Sequence, residues 1–216
     1  MKVIITGATG MVGEGALLEC LENPLVERVL LVSRRSAGYT HAKLREILVP
    51  DFRELGAHEA ELRDQDGCFF CAGVSSVGMK EADYAAITYD TTLRFAETLA
   101  PLNPNMVFIY VSGSHTDSTE KGKVMWARVK GKTENALMRL PFKSVYNFRP
   151  SLMKPTPGQK HVKAGYRAAL VLYPVAALFF PAMPLCDVGR AMINAVRFGA
   201  PKPVLEVADM KALAAR

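Results

Sequence analysis

The first fifteen residues, Met-Lys-Val-Ile-Ile-Thr-Gly-Ala-Thr-Gly-Met-Val-Gly-Glu-Gly, constrain this chain more than any other stretch. Val3 to Ile5 is a β-branched run of the kind that suits a strand buried on both faces, and it stops at Thr6-Gly7. Gly7, Gly10 and Gly13 then recur at every third position, and Leu17, Leu18 and Leu21 give the next segment an apolar helical face. Strand, glycine turn and helix in that order make a phosphate cradle. Gly7 allows the tight turn, Gly10 lets backbone amides approach a pyrophosphate, and Gly13 lets the helix pack on its strand. The helix adds free N–H groups and the positive end of its dipole. The spacing is GxxGxxG rather than GxGxxG, so the strand before it and the helix after it carry the inference of a dinucleotide site. Gly7, Thr9, Gly10, Met11, Val12 and Gly13 are the contacts expected there.

The rest of the chain alternates strands and helices, which predicts an α/β fold of Rossmann type, a doubly wound parallel sheet. Residues 1–216 read as one domain. About 1–150 form the cofactor-binding core, and about 151–216 form a small, helical, apolar lobe on the substrate side. The second strand, Arg28 to Ser33, ends in Arg34-Arg35. In this architecture an acid at the tip of that strand would bond the ribose 2′-hydroxyl of NAD, whereas Ser33, Arg34 and Arg35 suit a 2′-phosphate, which predicts NADP over NAD. A short strand, Glu46 to Val49, leads to Asp51, placed either for the adenine amine or as a helix cap. Gly67 to Gly73 reads as the fourth strand, with Cys71, Ala72 and Gly73 beside the passing nicotinamide ribose. Glu81 to Ala100 is a long amphipathic helix ended by Pro101. Met106 to Val111 is the fifth strand and ends in Ser112-Gly-Ser114 at the carboxyl edge, where open sheets hold ligands. Lys143 to Phe148 is the sixth.

Charge and thiols narrow the setting. Between Lys121 and Arg167 stand twelve Lys or Arg against one acid, Glu134, a bias that favours an anionic partner unless it is a solvated face. A phosphorylated cofactor would absorb part of it and a membrane surface more. Nucleic acid is disfavoured, because no stacking aromatics interleave the basic residues. Cys68 and Cys71 spell CxxC within a strand, which puts their sulfurs on opposite faces as two buried thiols. No secretory signal is visible, so a reducing cytoplasm is expected. His41, His58, His115 and His161 are scattered, and no metal site is predicted. Ala168 to Cys186 is nineteen residues without a charge, preceded by Lys160, His161, Lys163 and Arg167. Pro174, Pro181 and Pro184 argue against one spanning helix. Three readings remain: a buried wall of an apolar substrate pocket, a surface patch for a partner or second subunit, and monotopic docking of 160–186 on an anionic membrane. Asp187 is expected to cap a helix through Val196 stopped by Gly199, and Val204 to Val207 to add an edge strand.

TGATGxxG, Ser33-Arg34-Arg35, Cys71-Ala72-Gly73, Val111 to Ser114, a lysine-bearing helix and Asn147-Phe148-Arg149-Pro150, in that order, resemble the atypical short-chain dehydrogenase/reductase superfamily. Within it the chain is similar to the small Tat-interacting-protein branch and its bacterial relatives among the NAD-dependent epimerase/dehydratase proteins. The resemblance implies a catalytic serine after the fifth strand, matched by Ser112. It also implies a YxxxK pair on the next helix, whose lysine, matched by Lys130, lowers the tyrosine pKa and holds the nicotinamide ribose. Arg149 and Pro150 would lie toward the nicotinamide. The tyrosine position is held by Trp126, whose indole donates a hydrogen bond but does not ionise. Two functions follow. One is an NADP(H)-dependent oxidoreductase on a largely apolar carbonyl or alcohol, with Ser114, Tyr84 or Tyr89 replacing the tyrosine. The other is a catalytically lapsed NADP(H)-binding regulatory or interaction protein.

Overall fold

A computed structural model describes residues 1–216. In chain order the elements are β1 Lys2–Thr6, α1 Met11–Glu22, β2 Arg28–Ser33, β3 Leu44–Leu48, α2 Glu59–Leu62, β4 Gly67–Phe70, α3 Glu81–Ala85, α4 Thr91–Leu102, β5 Val107–Val111, α5 Met125–Leu137, β6 Ser144–Arg149, β7 Leu152–Lys154, α6 Ala164–Ala169, α7 Tyr173–Phe179, β8 Ala182–Pro184, α8 Leu185–Phe198, β9 Val204–Glu206 and α9 Val207–Ala214. Seven strands form one sheet in the order β3-β2-β1-β4-β5-β6-β9, and every pairing within it is parallel.

The order explains the hydrophobic runs. A strand with helices on both sides has no polar face, so β1 buries Ile4 in one apolar layer and Val3 and Ile5 in the other. The first layer lies under α4 and α5 and holds Phe70, Phe95 and Phe108 in edge-on and stacked contacts. The second lies under α1, α8 and α9, with Leu17, Leu31, Phe148, Met192 and Met210 fully enclosed. Cys68 sits in the first layer and Cys71 packs against the second, so the two thiols do face apart. Burial pushes the Cys71 thiol up to about 12 and raises that of Cys68 well above the usual thiol range, which leaves both inert at neutral pH.

Three local expectations are corrected. Asp187 does not cap α8: the helix begins two residues earlier, after Pro184, because β8 runs straight into it. Asp187 sits in its first turn and pairs with Arg190 at 3.3 Å, where a negative charge meets the positive helix end. The long helix over 81–100 is broken by a π-helical turn, Ala86–Asp90, with the Thr91 hydroxyl bonded to the Ala86 carbonyl at 3.0 Å. Pro101 lies inside the last turn of α4 and does not end it, since there its missing N–H removes only one late hydrogen bond. Gly199 (φ +73°) stops α8, and β9 is the outer strand beside β6.

The segment from β7 to β8 is an excursion from the sheet, closed at its base by the pairing of Leu152–Lys154 with Ala182–Pro184. It carries α6 and α7, and here the buried-wall reading fails. Val171, Leu172, Val175, Leu178, Phe179 and Phe180 are each more than half exposed. Residues 171–180 thus turn apolar side chains to the outside rather than into a pocket. No helix is long and apolar enough to cross a membrane.

Candidate functional site

Strand order reverses between β1 and β4, the place where open α/β sheets leave a crevice at their carboxyl ends. Gly7 leaves β1 with φ +73°, and a β-carbon there would lie 2.6 Å from the Ala72 nitrogen. The turn after β1 and the turn after β4 therefore touch through a residue that only glycine can be. The Ala72 N–H donates to the Thr6 hydroxyl at 3.2 Å across the same junction. At Gly13 an added β-carbon would meet the Gly7 carbonyl oxygen at 2.3 Å, so the start of α1 lies directly on the turn. Gly10 is the N-cap of α1, exposed and without a side-chain cap, which leaves the first helical N–H groups open.

Around this turn the expected residues converge. Gly7, Thr9, Gly10, Ser33, Arg34, Arg35, Cys71, Ala72 and Gly73 line one cleft of about 270 Å³ with Phe52 and Lys163. It continues past Arg34, Phe52 and Ala72 into a second cleft of about 230 Å³, walled by Asp51, Arg53, Ile87 and Thr91. A third of about 430 Å³ adjoins at Thr9 and Gly10, walled by Met11, Lys160, His161 and Tyr166. Val12 is half-buried beneath the turn and packs against the core. Asp51 is not a helix cap: its carboxylate accepts from the Arg53 side chain and backbone, which hold it down at about 2. Arg34 and Arg35 are exposed and have no acidic partner within 4 Å. Ser33 is 4% exposed, and its hydroxyl has no hydrogen-bond partner in the protein. A buried hydroxyl, two unpaired guanidinium groups and a glycine cradle on one cleft fit a phosphorylated dinucleotide.

The other end of the cleft differs from expectation. Ser112 is buried, and its hydroxyl donates to Glu134 Oε1 at 2.5 Å. Glu134 itself is fully enclosed and is gripped by Arg149 through Nε, at 3.0 Å, and Nη2. Arg149 also reaches Ser118 Oγ at 2.6 Å and Glu206 at 3.6 Å. Its guanidinium is thus paired within the protein. A carboxylate removed from water demands such partners, and Glu134 takes all of them. The signal was in the sequence, since Glu134 is the one acid in the basic stretch and stands four residues after Lys130 on the same helix. Pro150 is buried, and its carbonyl accepts from the Ser114 N–H at 2.8 Å, which pins the Ser112–Ser114 loop to the end of β6.

Lys130 donates to the Ser112 carbonyl oxygen. Burial pushes its ammonium down to about 8 despite the nearby Glu134, which pulls the other way. Trp126 stands one turn earlier on α5 and is half-buried. Of the hydroxyls that could replace a tyrosine, Tyr84 is buried and shifted upward by desolvation. Tyr89 lies under the Lys132 ammonium at 4.3 Å, two residues round the helix from Lys130 and so on another face. Ser114 is half-exposed and its hydroxyl makes no bond within the protein.

Glu14 is the functional-site residue that sequence reasoning missed. It lies in the first turn of α1 with no exposure, and it accepts from the Tyr39 hydroxyl at 2.6 Å, the backbone N–H groups of Lys160 (2.6 Å) and His161 (2.9 Å), and the Gln159 amide (3.2 Å). Burial alone would raise its pKa, and these bonds together outweigh it and hold the carboxyl below the usual range.

Comparison with known proteins agrees with this geometry. Protein HTATIP2 of Rattus norvegicus is 25% identical over 200 residues, 89% of this chain and 80% of the relative. Leucinostatins biosynthesis cluster protein T of Purpureocillium lilacinum is 27% identical over 143 residues, 65% of this chain but 52% of the relative, so the match spans about half of that protein. Mitochondrial protein fmp52 of Emericella nidulans is 28% identical over 159 residues, 70% of this chain and 66% of the relative. Among solved structures, MoeE5 in complex with UDP-glucuronic acid and NAD superposes with a TM-score of 0.71 at 19% identity, over 96% of this chain and 76% of that one. The Bordetella bronchiseptica enzyme WbmF in complex with NAD+ gives 0.70 at 17%, over 99% and 76%. Those likenesses speak to the fold, and residues 3–124 decide the family: with its glycine cradle and strand order, this chain is an atypical short-chain dehydrogenase/reductase belonging to the NAD dependent epimerase/dehydratase family.

Proposed function

We propose that this protein is an NADP(H)-dependent oxidoreductase acting on a largely apolar carbonyl or alcohol. The observation that carries the coenzyme choice is Ser33, Arg34 and Arg35 at the tip of β2, an unpartnered hydroxyl and two unpaired guanidinium groups where an NAD site carries an acid. NADPH, when bound, supplies a hydride to the carbonyl carbon at the carboxyl edge of β5. The protein's own residues do the rest. Ser114 orients the substrate oxygen, and Lys130, held at the Ser112 carbonyl, gives that oxygen its proton and leaves a neutral amine that solvent reprotonates. A lysine lowered to about 8 is suited to that transfer near neutral pH, which Trp126 is not. Carbonyl reduction should then fall as pH rises through about 8. Lys130→Arg should bind NADPH and lose at least about 100-fold in turnover, because guanidinium does not release its proton. Undiminished turnover in that variant would remove Lys130 as donor.

Trp126 supports a second reading, a coenzyme-binding regulatory or interaction protein whose catalytic centre has lapsed. Trp126→Tyr separates the two: a large gain in carbonyl turnover belongs to a lapsed centre, and no gain over an active wild type belongs to the enzyme.

The exposed ridge of α6 and α7 supports peripheral docking on an anionic membrane. From Asn135 to Cys186 there is no acid, and Lys154 and Arg167 flank the ridge, so its charge complements anionic headgroups. Sedimentation with vesicles containing phosphatidylserine should pellet the protein at low salt and less at high salt. A salt-independent dimer with no pelleting would assign the ridge to a second copy. Four free thiols support a reducing compartment such as the cytoplasm.

A further inference from the structure

We propose that Lys163 is a ligand of a coenzyme phosphate, presented by a strap, residues 159–163, that Glu14 holds over the glycine turn. The proposal rests on the dinucleotide reading of the cleft and deepens it.

Lys163 comes from the excursion between β7 and β8, far in sequence from the cradle. It lines the cleft of Gly7, Gly10, Arg34 and Arg35, and also the adjoining cleft of Thr9, Gly10 and Tyr166, so it stands across the Thr9-Gly10 turn. Its neighbour Lys160 is committed within the protein, bonded to the Gly38 carbonyl at 2.8 Å with its ammonium 4.2 Å from the Tyr39 ring centre. The Lys163 ammonium has neither an acidic partner nor a hydrogen bond to the protein. A phosphate on this cleft would meet the open helix N–H groups at the start of α1 and cations from two separate segments of the chain.

The strap's position is built. Gln159 donates to the Met11 carbonyl at 2.7 Å, and His161 Nε2 lies 3.1 Å from the Ala37 carbonyl. The strap therefore straddles both the first turn of α1 and the loop after the arginines. At its centre the N–H groups of Lys160 and His161 point at Glu14. Backbone donors fix where the chain runs whatever the side chains are, and a carboxylate without exposure loses much if they leave. Glu14 is accordingly a positioning residue: it touches no coenzyme atom and acts through Lys163.

Coenzyme fluorescence titration tests this, with NADPH and NADH as probes. Lys163→Ala should weaken binding roughly tenfold. An equal loss for both coenzymes assigns Lys163 to the diphosphate, and a loss for NADPH alone assigns it to the 2′-phosphate. Unchanged affinity for both overturns the proposal. Glu14→Gln should show the same loss, and none beyond it when added to Lys163→Ala. Additive losses would mean that Glu14 supports the cradle itself and would overturn the strap. If Glu14→Gln does not fold, Gln159→Ala takes its place. Hydrogen exchange gives a second readout: NADPH should slow exchange at the Lys160 and His161 amides in the wild type and not in Lys163→Ala. A wild type that binds NADPH without this protection overturns the strap, whereas a wild type that binds neither coenzyme overturns the dinucleotide reading beneath it.

Discussion

The glycine cradle and the α6–α7 ridge are opposite kinds of incompleteness. At the cradle the protein leaves polar groups without partners of its own: the buried Ser33 hydroxyl, the open N–H groups of α1 and two exposed arginines without acids. At the ridge it exposes apolar groups it does not cover. Each costs free energy in the isolated chain, the first through lost hydrogen bonds and the second through hydration of apolar area. The first is complete only with a polar, anionic ligand of defined shape. The second needs only an apolar surface, which makes it far less specific.

Substitutions can break or sharpen this contrast. The largest effect should come from Gly7→Ala, which puts a β-carbon at positive φ and 2.6 Å from the Ala72 nitrogen. A loss of about 3 kcal/mol in chemical denaturation and no coenzyme binding are expected. Lys130→Met probes a charge kept in the interior. The folded pKa of about 8 lies below the unfolded value of about 10.4, so between these values the unfolded chain binds more protons and wild-type stability rises with pH. The variant should lose that slope and gain up to about 3 kcal/mol at pH 7. Replacing Arg34 and Arg35 by serine should weaken NADPH roughly 50-fold and leave NADH within about twofold, by fluorescence titration. Ser33→Ala should stabilise the ligand-free protein by about 1 kcal/mol and weaken NADPH, because an orphaned hydroxyl is removed from one state and a ligand bond from the other. Phe179→Ser should change unfolding stability least, within about 0.5 kcal/mol, yet reduce vesicle pelleting. A large destabilisation there would mean that the ridge is covered and the contrast false.

The two regions were also unequally legible. The cradle is a local device, in which the geometry of Gly7, Gly10 and Gly13 follows from the strand before them and the helix after them, and the arginines are fixed by the end of β2. The parallel sheet followed from apolar runs that no two-faced strand would carry. What was hidden is tertiary. That Glu134 would take the Arg149 guanidinium depends on β6 lying beside α5, and that Glu14 would receive the amides of residues 160 and 161 depends on an excursion more than 140 positions away. The apolar stretch 168–186 read as well for burial as for exposure, because hydropathy does not say whether another element is left to cover it. Asp187 has the composition of a cap, and the strand running into α8 left it no cap position.

The Ser112–Glu134–Arg149 knot has a consequence for how a visitor is received. Since it needs nothing from outside, that end of the cleft is set before any guest arrives, like a jaw cast in one piece, while the glycine turn lies beside a strap drawn from a distant loop. Capture should therefore be governed at the strap, and the pace of entry and departure should follow residues 159–163.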